Sequence, residues 1–166
     1  MSLFKTAIDH HQSGRLQEAL SIYYQVLKRS PNDIIANHMF GVVAHQMGRT
    51  ELAVKMIRKA IRLKPDYAEG HNDLGNIYLT QTNLKPALFH YRKAISINPG
   101  FAEAYNNLGN VFKEQGFIQY ACESYRKAVE ISPDYTDAHS NLLLTMNYTT
   151  ATNKNIYKES LRWNQH

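Results

Sequence analysis

Four of the five prolines, Pro31, Pro65, Pro99 and Pro133, stand 34 residues apart. No single helix or strand has a period that long. It marks one supersecondary unit repeated along the chain. Blocks 66–99 and 100–133 are identical at 14 of 34 positions, with NDLGNIY beside NNLGNVF and YRKAISINP beside YRKAVEISP. One block runs His71, Leu74, Gly75, Tyr78, Ala87, Tyr91, Ala94, Pro99, and the next runs Tyr105, Leu108, Gly109, Phe112, Ala121, Tyr125, Ala128, Pro133. The block before them gives Asn37, Phe40, Gly41, Ala44, Ala53, Ile57, Ala60, Pro65. The first block keeps only Ala7, His10, Ala19, Tyr23, Val26 and Pro31. A unit of this size cannot bury its own apolar face, so successive units must stack on one another.

Each block holds two helical patterns joined by a short turn carrying Gly14, Gly48, Asn83 or Gly116. Gly41, Gly75 and Gly109 face Ala53, Ala87 and Ala121 where the two helices cross, and a larger side chain there would push the backbones apart. Each periodic proline follows the second helix, which it cannot continue. Pro86, just after an expected Asn83 N-cap, falls in the first helical turn, where its missing N–H is no loss. From about residue 2 to residue 150 this skeleton resembles the tetratricopeptide repeat (TPR) family. The resemblance implies an all-α fold, a right-handed α-solenoid of tandem TPR helix hairpins with a concave groove. Residues 1–150 would form the array, with nine repeat helices. Residues 151–166 would form a polar turn and a capping or linker helix, the tenth, carrying Tyr157, Leu161 and Trp163.

The fifth block begins in register, with His139 and Leu142, and then departs into TTATNKN and IYKESLRWNQH. Over residues 137–166 this tail resembles the junction between the TPR array and the catalytic region in O-linked N-acetylglucosamine transferase-like glycosyltransferases. That likeness implies a substrate-recognition region preceding a two-lobed enzyme. A plain capping helix on a freestanding TPR adaptor is the alternative.

In TPR proteins one face of each first helix lines the groove. Here that face carries Asn72, Asp73 and Asn76 in the third block and Asn106, Asn107 and Asn110 in the fourth. Asn141 lies on it in the fifth, and His38 and His45 in the second. A side-chain amide both donates and accepts, so a column of asparagines can pair with the backbone of an extended peptide without demanding a sequence. The glycosyltransferase resemblance implies such a ladder. Asn107 and Asn141 match it, Asp73 keeps only acceptors, and Met39 and Lys5 depart from it. The expected partner is a protein or peptide segment. The clamp that TPR domains close on a chaperone's C-terminal carboxylate is excluded, because its basic positions are Glu69, Glu103 and Asp137 here.

Composition removes other classes. Hydrophobic residues at 43% and charged residues at 20% describe a folding chain rather than a disordered one. The net charge of +5 is modest, and the recurring pairs Arg58–Lys59, Arg92–Lys93 and Arg126–Lys127 read as solvated second-helix surface, so no nucleic-acid partner is expected. No apolar stretch approaches a membrane span, so no membrane partner is expected either. One cysteine, Cys122, fits a reducing, cytoplasmic setting. The eight histidines offer no i, i+4 ligand pair with a carboxylate near both, so no metal and no cofactor are expected. Neither a nucleophile–base set nor a phosphate loop is present, which argues against an enzyme within these residues. Phe89, Phe117 and Tyr120 are aromatics off the repeat pattern on the convex side. They read either as singly exposed residues or as an oligomer contact.

Overall fold

The structure, a computed structural model, describes residues 3–147. Among them are nine α-helices and no strand. The chain divides into two compact units, residues 1–81 and 82–166. The first unit holds α1 (Leu3–Gln12), α2 (Leu16–Arg29), α3 (Ile34–Gln46), α4 (Thr50–Leu63) and α5 (Ala68–Thr80). The second holds α6 (Leu84–Ile97), α7 (Ala102–Glu114), α8 (Ile118–Ile131) and α9 (Thr136–Met146). Within each unit, consecutive helices pack on one another, and the hairpins α1–α2, α3–α4 and α7–α8 are the most extensive pairings. The expected tenth helix and the turn before it lie outside the described residues.

The turn inside each hairpin is a left-handed helix end. Gly14, Gly48 and Gly116 have φ of 72°, 74° and 78°. After each of them the next N–H reaches back to the helix: Arg15 to His10, Arg49 to Ala44 and Phe117 to Phe112, at 2.8–2.9 Å. These bonds satisfy carbonyls that the helix end would otherwise leave open. In the third block the left-handed residue is Thr82, at φ 56°, and not the expected Asn83. Asn83 does stand at the N-cap of α6, but its side chain makes no cap hydrogen bond.

The periodic prolines have a positive role as well. Each occupies the second position of a tight turn after a second helix, where its fixed φ is already correct. The turn closes with an N–H from Asp33 to Ser30 O, Phe101 to Asn98 O and Tyr135 to Ser132 O, each at 3.1 Å. The turn carbonyls are held in turn by a buried polar column. Asn37 Nδ2 donates to Pro31 O at 3.0 Å, and the His139 ring nitrogen bonds Pro133 O at 2.9 Å.

The hairpin crossings are as close as the sequence implies. A Cβ on Gly41 would stand 2.6 Å from Ile57 Cγ1 and 3.1 Å from the Ala53 carbonyl oxygen. A Cβ on Gly109 would stand 2.5 Å from the Tyr125 ring. The cores are thin layers beside these crossings. Ala121, Cys122, Tyr125, Leu142 and Met146 make one of them, with Phe112 and Ile118 against it.

Candidate functional site

The first-helix faces carry the candidate residues, and packing sorts them into two kinds. In the first unit, His38 is buried on α3. Its Nε2 meets Asp73 Oδ2 of α5 at 2.7 Å, and its Nδ1 meets the Tyr67 hydroxyl at 2.8 Å. A carboxylate only accepts, so Nε2 carries the proton toward Asp73 and the Tyr67 O–H donates to Nδ1. Burial first, then the Glu69 and Asp73 charges, push the Tyr67 phenol up to about 12. His38 and Asp73, expected on a ligand-facing wall, are thus bound to one another across neighbouring repeats.

The second unit repeats the arrangement with neutral groups. Asn141 Nδ2 of α9 donates to Asn106 Oδ1 of α7 at 2.9 Å, and the Asn106 amide also bonds the Tyr135 hydroxyl. Tyr135 is raised too, by burial first and then by Glu103 and Asp137, against the lowering effect of the Asn106 bond. In both units the first-helix residue pairs with one 35 positions later. His11 and Gln46, also 35 apart, do the same at 2.9 Å nearer the helix end. One repeat period plus one residue is the step by which adjacent first helices interlock.

Three expected site residues are therefore corrected. Asn72 is 1% exposed, Asn106 is 4% exposed and His38 is 5% exposed, so none of them faces a ligand. The 3.6-residue period places them on the groove side, but α9 covers that edge of α7 at Asn106, where Asn141 bonds it. Asn110 is half-buried and accepts the Tyr125 hydroxyl on Oδ1 at 2.8 Å, which ties α7 to α8. Asn76 is half-buried, with Nδ2 3.4 Å from Asp73 Oδ1. Asn107 and Asn141 are half-buried as well, so part of each side chain reaches solvent. Asn141 spends one amide hydrogen on Asn106, while its second N–H and its Oδ1 suit a peptide group. His45 is half-buried, and its Nδ1 is buried without a partner.

Sequence reasoning missed the buried links. Asn37, fully buried, was not singled out, although its column with His71 and His139 carries polar residues where bulk is expected. Tyr67 and Tyr135, one before each first helix, were passed over as well. The signal that could have found them is a polar residue recurring at whole multiples of the period, as Tyr67 and Tyr135 do. Phe89, Phe117 and Tyr120 are 62%, 52% and 58% exposed, and Phe117 and Tyr120 meet edge to face at 6.3 Å. Among the described residues no group of three potential metal ligands comes together, and no helix is long and apolar enough to cross a membrane.

Comparison with known proteins agrees with this architecture. A TPR repeat family model matches residues 41–81 and 83–116, and a tetratricopeptide repeat model matches residues 102–135. No protein among those with curated descriptions is similar enough in sequence to count as a match. Among solved structures, MamA superposes with a TM-score of 0.79 at 23% identity, covering 98% of this chain and 88% of that one. MamA from Desulfovibrio magneticus RS-1 gives 0.80 at 20% identity, covering 98% and 92%. YrrB, a TPR protein with an unusual peptide-binding site, gives 0.71 at 21% identity, covering 96% and 83%. Likeness at these identities is a likeness of fold.

Proposed function

Because the chain belongs to the tetratricopeptide repeat family, whose models match more than half of it, we propose that it is a protein-interaction scaffold binding extended peptide segments along its first-helix faces. The observation that carries the reading is that Asn107 on α7 and Asn141 on α9, the two residues that match the asparagine ladder, lie in one unit and are only partly buried. Asn141 keeps an amide N–H and its Oδ1 for a peptide backbone after its bond to Asn106, and neither residue sits beside a nucleophile or a paired acid that would suggest chemistry. YrrB, of the same fold, is described by its peptide-binding site, which supports the same use of the fold here.

The test is an array of unstructured peptides followed by fluorescence anisotropy. The double variant Asn107→Ala, Asn141→Ala should weaken most peptides to a similar degree, about tenfold for two lost backbone contacts of about 1 kcal/mol or less each. Circular dichroism keeps folding in view, since Asn141 also bonds Asn106. Wild-type binding by a folded double variant would sink the reading.

A narrower reading makes this array the substrate-recognition region of an O-linked N-acetylglucosamine transferase-like protein glycosyltransferase. Its support is the sequence pattern of residues 137–166, of which 148–166 lie outside the described residues. The reading frame beyond His166 decides it. A long α/β coding region supports it, and an immediate stop leaves a freestanding adaptor.

A further inference from the structure

The second-helix column Tyr23, Ile57, Tyr91, Tyr125 runs at the repeat period and contains one residue that is not tyrosine. In the fourth repeat, the Tyr125 ring lies against Gly109, and its hydroxyl reaches Asn110 Oδ1 on the first helix. In the second repeat the equivalent residues are Ile57, Gly41 and Val42. Ile57 packs on Gly41 in the same way, but it has no ring to fill the space beyond and no hydroxyl to reach the first helix. A cavity of about 210 Å³ stands there, opening between α3 and α5 past the His38–Asp73 bond. Its floor is Val42, Ile57 and Ile77, with Ile57 and Ile77 almost fully buried. Its rim carries Asp73, Asn76 and His45.

We propose that this cavity is an anchor pocket for a tyrosine side chain of a bound peptide, which supplies the ring that the repeat lacks and brings its hydroxyl to the polar rim of Asp73, Asn76 and His45. The proposal rests on the peptide-binding reading and adds a side-chain preference to it. An aliphatic floor beneath a polar rim suits a phenol. Phenylalanine fills the floor but brings no hydroxyl to the rim, leucine fills it partly, and an acidic side chain is repelled by Asp73.

Two probes separate the pocket from the groove. The first is p-cresol against toluene, followed through the methyl resonances of Ile57 and Ile77. The expected result is a specific shift with p-cresol binding about fivefold tighter than toluene. His45→Leu should narrow that ratio by removing part of the polar rim, and it serves as well where Ile57→Tyr folds poorly. The second is a glycine–serine host peptide with Tyr, Phe, Leu or Ala at its centre. Affinity should fall in that order, by on the order of tenfold from Tyr to Ala, and Ile57→Tyr should level the series by filling the pocket from within. Host peptides that bind without that order overturn the pocket and leave the groove reading standing. A p-cresol shift with no peptide binding upholds the pocket's chemistry and overturns the groove reading. Neither probe binding overturns both.

Discussion

Thr82 and Tyr67 show how much a single side chain carries when the repeat supplies everything else. Three of the four hairpin turns place glycine at the left-handed position, and the third places Thr82 at φ 56°. A β-branched residue there is crowded against its own backbone, at a cost of roughly 1–2 kcal/mol. Thr82→Gly should therefore stabilise the chain by about 1 kcal/mol, after allowing for the greater freedom of glycine when unfolded. A urea midpoint unchanged or lowered would contradict this. Tyr67 argues through protons. Its folded value of about 12 stands above the ordinary 10.0, so the unfolded chain loses this proton first as pH rises. The associated stability is present in full below pH 10 and drains between 10 and about 12. Tyr67→Phe should flatten that part of the stability curve relative to wild type. At neutral pH it should cost about 1–3 kcal/mol, because His38 Nδ1 loses its donor inside a buried site. Denaturant titrations on either side of pH 10 check both effects.

Among the elements, the hairpin crossings are set by glycine and the layer contacts by polar links. Gly109→Leu drives a side chain into the Tyr125 ring, which a bare Cβ would already approach to 2.5 Å. Tyr125 is fully buried and tied to Asn110, so it has nowhere to swing. A loss of about 3 kcal/mol or more is expected, at or above the usual range for overpacked cores. A melting temperature equal to wild type would show that the helices separate at little cost. This crossing was legible in the sequence, because glycine and the facing alanine recur at one period. So were all nine described helices and the prolines that end the second ones, since period, breaker and apolar spacing agree at each step. The burial of Asn72 and Asn106 was not legible. Helical spacing assigns a residue to a face about 100° wide, and only the neighbouring layer decides which edge of that face it covers. The cavity beside Ile57 is intermediate: the missing tyrosine stands in the column, but an empty volume is visible only once Gly41, Val42 and Ile57 are placed together.

For the molecule as a whole, the sign of the charge differs from the sign on the first-helix faces. The chain is +5, yet the exposed first-helix positions carry Glu69 in one unit and Glu103, Glu114 and Asp137 in the other. Much of the positive charge is on second helices, where Arg58, Arg92, Lys93, Arg126 and Lys127 are exposed. A peptide lying on the first helices would meet an acidic surface whatever the net charge of the protein. Peptides with Lys or Arg should therefore bind a few-fold better than neutral ones of the same length, and acidic peptides worse, since each exposed pairing contributes only about 0.2–1 kcal/mol. Added salt should narrow the spread by screening it. It should leave the backbone contribution of Asn107 and Asn141 in place, so affinity converges on a common value and does not vanish. A titration in which acidic peptides bind best, or in which salt abolishes all binding, would show that the basic second helices hold the ligand instead.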